Sequence, residues 1–261
     1  MEKLQAALEK ARNRRQNVVP RSTAATKSMA PGVEKLWANL TEIEPSHDAL
    51  HNHHVVSRQA SQKATPFDIL RTKIQLQMRQ NGWKSLAITS PMPKCGKSTM
   101  ACNLALGLGR QGGLRTMLFD LDLEDPSVGE FLGHTPENHI TDMLLGELSF
   151  ADQAMRVGDS VAVSMAARRE RDPTRVLLAG QTAQTLQTIQ SRYDPDIMIF
   201  DMPSILVGDN TRSFLRNVDC ALIVARANHT KYDHFDTCER EIAEYTNVLG
   251  IVLNAFRTKD Q

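Results

Sequence analysis

Between Ile88 and Thr99 the chain reads Ile-Thr-Ser-Pro-Met-Pro-Lys-Cys-Gly-Lys-Ser-Thr, an apolar run entering a short loop that closes on Gly96-Lys97-Ser98-Thr99. That combination suits a triphosphate. Backbone N–H groups of a tight loop and of the helix that follows it point at phosphate oxygens, Lys97 brings a point charge to the β and γ phosphates, and the Ser98 hydroxyl can ligate Mg²⁺. Pro93, Lys94, Cys95, Gly96, Lys97, Ser98 and Thr99 are the expected nucleotide-binding stretch. Pro91 stands where the common G-x-x-x-x-G-K-[ST] pattern has its first glycine, which implies a different class of phosphate loop. A second run, Met117 to Asp122, ends in two carboxylates spaced i and i+2, so both point to one side beyond the edge of a sheet, where ligands sit in open α/β folds. One can hold Mg²⁺ while the other takes the proton of an attacking hydroxyl. Lys97, Asp120 and Asp122 are therefore the expected catalytic set. A third apolar run, Asp196 to Pro203, ends in Asp201, and with Ser98, Asp120 and Asp122 it completes the expected magnesium ligands.

These residues need strands to carry them and helices to cover the strands. From Thr65 onward strand-like and helix-like stretches alternate. PFDILRTKIQLQMRQ, GKSTMACNLALGLGRQGG, ITDMLLGEL, TRVLLAGQTAQTLQTIQSRY, NTRSFLRNV and HFDTCEREIAEYT read as helices, with a short one after DPSV; KSLAITS, TMLFDLDL, VAVSM, IMIFDMP, CALIVARA and VLGIVLNA read as strands. The strands are apolar throughout rather than alternating, the mark of a parallel sheet buried on both faces. The expected fold is α/β, a three-layer domain over residues 65–261 with a mostly parallel sheet between helices.

Residues 1–64 read as an N-terminal extension. Met1, Leu4, Leu8 and Ala11 fall at helical spacing, and up to Lys35 the segment holds eight basic against three acidic residues, so it is either a solvated arm or a docking element. A linker, VVPRSTAATKSMAPG, leads to VEKLWANL, where Val33, Leu36, Trp37 and Leu40 form one apolar face that must pack on this chain or on a partner. His47 and His51 in HDALHNHHVV have a metal-ligand spacing; the alternative is a surface segment leading into a short Val55-Val56 strand.

Composition narrows the function classes. In 261 residues, 31 Lys and Arg balance 30 Asp and Glu, so no nucleic-acid partner is expected. The four cysteines are far apart in sequence, without a C-x-x-C pair, which fits a reducing compartment. No apolar run is long enough to span a bilayer, and the charged N-terminus lacks the apolar core of a secretory signal. A cytoplasmic protein is expected.

The spacing T-S-x-x-P-x-x-G-K-S, carried by Thr89, Ser90, Pro93, Gly96, Lys97 and Ser98, resembles the Walker A motif of the bacterial tyrosine kinases of capsule and exopolysaccharide synthesis, relatives of the partitioning and septum-placement ATPases. Met92 occupies the place of the partitioning branch's signature lysine. The Asp120-x-Asp122 run resembles the kinases' Walker A′ box, with Glu124 in place of the usual basic residue. Asp201 and Pro203 match a Walker B that commonly reads D-T-P-P, Ile140 to Leu145 a GLSDVL-like helix, and Asn254 the position that contacts the nucleotide base; a strand-end cap is the other reading of Asn254. The resemblance implies ATP and Mg²⁺ as cofactors and γ-phosphate transfer to a protein tyrosine, with Asp120 or Asp122 activating the hydroxyl. It also implies a role in exopolysaccharide assembly. A membrane-embedded chain-length (co-polymerase) protein is then the expected activator, recruiting the chain to the inner face of the cell membrane. Relatives form rings through a helix matched here by Phe67 to Thr72. Its glutamate and two arginines fall at Thr65, Asp68 and Arg71, so only Arg71 of that homo-oligomer pattern is kept. Family members phosphorylate a tyrosine-rich tail, whereas Tyr193, Tyr232 and Tyr245 are neither clustered nor terminal. An ATPase switch without tyrosine transfer, controlling association with a membrane partner, is the alternative.

Overall fold

A computed structural model describes residues 31–256; the amphipathic helix expected over 1–17 and most of the linker lie outside the described residues. The elements, in chain order, are α1 (Pro31–Ala38), β1 (Thr41–Glu42), α2 (His47–Asn52), α3 (Thr65–Asn81), β2 (Ser85–Thr89), α4 (Lys97–Gly109), β3 (Thr116–Asp120), α5 (Val128–Leu132), α6 (Ile140–Leu144), α7 (Phe150–Gln153), β4 (Met155–Val157), β5 (Val161–Ser164), α8 (Pro173–Leu178), α9 (Gly180–Tyr193), β6 (Ile197–Asp201), α10 (Asn210–Phe214), β7 (Cys220–Arg226), α11 (Tyr232–Ala243) and β8 (Asn247–Asn254). The strands form one sheet in the order β1-β4-β5-β3-β6-β2-β7-β8. All pairings are parallel except β4 with β5.

Every residue of β2, β3 and β6 is buried. Because successive side chains point to opposite faces, Phe119 and Phe200 stack 5.1 Å apart under α7 and α10. Their neighbours Leu118 and Ile199 face α4 on the other side. This is the three-layer α/β arrangement that the continuous apolar runs predict. The edge differs. In β8 only Leu249 is buried, and Ile251 and Leu253 are exposed, because β8 is the border strand of the sheet.

Other local expectations are corrected. Val55 and Val56 are not a strand: Val56 and Ser57 donate their N–H groups to Oδ1 of the buried Asn103 (2.8 and 3.0 Å), so a side chain replaces the ladder. The stretch from Thr174 to Tyr193 is two helices, since Ala179 takes an extended conformation (φ −62°, ψ 130°) between α8 and α9. Strands β1 and β4 are too short to show a period and were not expected. His47 is fully exposed beside Asp48, and no cluster of three or more metal-ligating side chains exists among the described residues.

The apolar face of VEKLWANL packs on this chain. Trp37 is 2% exposed, donates its indole N–H to the Tyr193 carbonyl at 2.8 Å, and carries the Arg115 guanidinium 5.3 Å from its ring centre. Asp68 and Arg71 are likewise occupied internally. Asp68 accepts from Arg71 and Arg110, while Arg71 also donates to the Gly107 carbonyl, docking α3 on α4.

Candidate functional site

Three strand ends build the site. Strand β2 runs into the loop 90–96, and Gly96 takes φ +93° at the start of α4, a left-handed conformation that disfavours any Cβ. A Cβ there would stand 2.2 Å from Asn254 Nδ2. Asn254, at the end of β8, uses that amide to donate to the Cys95 carbonyl (2.9 Å), while its own Oδ1 accepts from Ala255 N (2.8 Å). It clamps the loop as well as capping the strand. Arg226, ending β7, donates to the Lys94 carbonyl at 2.8 Å. The loop is thus held from the side of β7 and β8, and its open side faces β6 and β3.

On that side lie the acids. Asp120 and Asp201 face each other in the β3–β6 register, and both are fully buried. Asp120 Oδ2 accepts from the N–H groups of Ser127 (3.2 Å) and Val128 (3.1 Å), which leaves Asp120 Oδ1 and both oxygens of Asp201 without partners among the described residues. Burial pushes the Asp201 carboxyl up to about 7. It also lifts Asp120 well above the usual carboxylate range, with the charge of Asp201 adding to the effect. Buried acceptors of this kind are costly unless they meet a cation or a donor. A site of hard oxygen ligands is what Mg²⁺ requires, so the donor set fits that ion.

Lys97 bridges the two halves. Its ammonium is 3.8 Å from Asp122 and 3.4 Å from the Ser204 hydroxyl, and the side chain is 9% exposed. Burial raises the Asp122 carboxyl, and the nearby Lys97 charge opposes that rise. Lys97, Ser98, Asp122, Glu124, Ser204 and Asn210 are among the residues lining a cleft of about 410 Å³ at the strand ends. Pro93, Lys94, Gly96 and Thr99 line it too, whereas Cys95 is buried beneath, with its sulfur 3.6 Å from Thr230 Oγ1. The residues expected from the motifs therefore lie at the same strand ends, but Asp120 and Asp201 are fully buried and do not line the cleft, and Asn254 and Cys95 support the loop from behind.

Four contributions were not expected from the motifs. Arg226 is simply the charged end of an apolar strand, and Ser204 reads as a deviation from D-T-P-P. Pro203 gains a role through its carbonyl, which accepts from both Thr89 and Thr211 (2.7 Å each) and ties the loop after β6 to the end of β2. Glu124 accepts from Asn210 (3.0 Å), and Asn210 in turn accepts from Thr174 (2.6 Å), joining the A′ loop to α8 and α10.

No family model matches the chain. Among curated proteins it is 25% identical over 191 residues to a putative tyrosine-protein kinase EpsB of Ralstonia nicotianae, covering 71% of this chain and 25% of the relative. It therefore spans about a quarter of that relative's length. Over 200 residues it is 27% identical to the tyrosine-protein kinase CpsD of Streptococcus agalactiae, covering 76% of this chain and 84% of the relative. Among solved structures, the chimerical protein CapA2B2 superposes with a TM-score of 0.71 at 20% identity, covering 86% of this chain and 99% of that one. The kinase domain of the Escherichia coli tyrosine kinase ETK gives 0.69 at 20% identity, covering 77% and 79%. Cobyrinic acid a,c-diamide synthase from Mycobacterium smegmatis, with bound ATP analog and magnesium, gives 0.57 at 20% identity over 68% and 74%. In sequence the chain is similar to curated bacterial tyrosine-protein kinases at 25–27% identity, and it has the P-loop ATPase fold of the solved kinase domains.

Proposed function

We propose that the chain binds ATP with Mg²⁺ in the cleft and transfers the γ-phosphate to a protein tyrosine, in the service of exopolysaccharide or capsule assembly. One observation carries the reading: the unpartnered oxygens of Asp120 and Asp201 lie at the end of neighbouring strands beside a phosphate loop whose lysine reaches Asp122. Ser98, Asp120 and Asp201, with Asp122 beside them, would hold the magnesium, which when bound supplies charge neutralisation at the phosphates. The backbone of residues 93–99 cradles the phosphates, with Lys97 drawing their charge towards the A′ side. Asp122, near the mouth of the cleft, takes the proton of the incoming tyrosine hydroxyl. Catalysis on this plan is positioning and electrostatics rather than covalent chemistry. No helix among the described residues is long and apolar enough to cross a membrane; on this reading a membrane-embedded chain-length protein recruits the chain to the inner membrane face and activates the site.

A switch that only hydrolyses ATP is favoured by one feature. Glu124 adds a carboxylate at the rim, where the developing charge of a tyrosine oxygen would meet it. Purified protein incubated with labelled ATP and a tyrosine-containing acceptor distinguishes the two. Phosphotyrosine detected by mass spectrometry supports the kinase, and free phosphate alone supports the switch. Lys97→Ala should abolish both nucleotide binding and turnover; normal turnover in that variant would rule the site out.

A further inference from the structure

The sequence contains three tyrosines, and two of them are built into the core. Tyr193 is 3% exposed, with its ring edge-on to Phe150 at 4.8 Å. Tyr245 is half-buried against the core, with the Arg216 guanidinium 5.5 Å from its ring centre. Tyr232 is different. It is 77% exposed at the first position of α11, and its hydroxyl has no hydrogen-bond partner among the described residues.

Its position is set by the phosphate loop. Thr230, two residues earlier, accepts from the Arg226 N–H at 2.9 Å and touches the Cys95 sulfur, while Arg226 holds the Lys94 carbonyl. Tyr232 therefore projects from the same edge of the sheet as the cleft. The sheet order β3-β6-β2-β7 nevertheless puts the start of α11 on the far side of the phosphate loop from Asp122. Three strand spacings separate β3 from β7, roughly 14 Å, with the loop itself in between. That arrangement separates Tyr232 from Asp122 of its own chain.

We infer that Tyr232 is a phosphate acceptor, modified by the nucleotide cleft of a second copy of this chain; the inference rests on the kinase reading above. In the transfer, the Tyr232 oxygen forms a bond to the γ-phosphorus. The bond from that phosphorus to the β–γ bridging oxygen breaks, ADP leaves with the electron pair, and the phenolic proton passes to Asp122 of the donating copy. The product carries a charge of about −2 beside the phosphate loop, where the parent side chain is neutral.

The test uses the full chain with labelled ATP and Mg²⁺, in parallel with a glutamate–tyrosine copolymer as an independent acceptor. Phosphate should map to Tyr232, at a rate per molecule that rises with protein concentration. Tyr232→Phe should lose it while modifying the copolymer at the wild-type rate. When Lys97→Ala is mixed with Tyr232→Phe, the label should appear on Tyr232 of the Lys97→Ala chain. A copolymer that is phosphorylated while Tyr232 stays unmodified overturns the inference and leaves the kinase reading standing. If neither is phosphorylated, the kinase reading fails and the inference with it. A rate independent of concentration, with no label in the mixture, overturns transfer between copies.

Discussion

The substitution Asp201→Asn should make the nucleotide-free protein more stable while destroying its magnesium site. A carboxyl that titrates near 3.8 in the unfolded chain is pushed up to about 7 when buried in the fold. The folded state therefore keeps a proton across roughly pH 4 to 7 that the unfolded state releases. Wild-type stability falls as pH rises through that window. Three pH units at about 1.4 kcal/mol each amount to about 4 kcal/mol lost by pH 8. The introduced asparagine carries no charge and so removes that penalty. Allowing for desolvation of the amide, a gain of about 2 kcal/mol at pH 8 should remain, a rise in Tm of about 4–8 °C for a chain of this size. At pH 5, where the wild-type carboxyl is protonated in the fold, the difference should vanish. Calorimetry of both proteins at pH 5 and pH 8, with and without ADP and Mg²⁺, measures all of this. The reasoning is refuted if the variant is less stable than wild type at pH 8, if its gain is as large at pH 5, or if Mg²⁺-dependent stabilisation survives.

Two further substitutions probe the scaffold. Gly96→Ala forces a Cβ onto Asn254 Nδ2 at a φ of +93°; strain on the order of 1–3 kcal/mol, taken from nucleotide affinity, is a loss of roughly ten- to a hundredfold. Titration calorimetry should show it, with an unaltered far-ultraviolet spectrum. Trp37→Ala removes a side chain 2% exposed and its bond to the Tyr193 carbonyl. Chemical denaturation should record a loss of about 3–5 kcal/mol, while nucleotide affinity, set at the opposite end of the strands, stays within a factor of about two.

The phosphate loop, the paired acids of the A′ box and Asp201 were legible in the sequence because each is a local pattern: an apolar strand, then the residue types that the chemistry needs at the strand's end. The parallel sheet was legible for the same reason, since burial on both faces leaves an unbroken apolar run. Edges and contacts between distant segments were not. Strands β1 and β4 are too short to carry a period, and β8 has the composition of an inner strand but lies at the border of the sheet. The turn of Ala179 away from helix leaves no proline or paired glycine to announce it.

By itself the sequence determined which residue types stand at the ends of which strands, and hence the chemistry available to the chain. Only the tertiary structure decided that Asp120 and Asp201 face each other without partners, that Arg226 and Asn254 brace the phosphate loop, and that Tyr232 alone of the tyrosines stands free. The physical reason is the same in each case: strand order and helix packing bring together groups far apart in the chain, and burial, which sets the cost of an unpaired charge or the reach of a hydroxyl, exists only once those elements are packed.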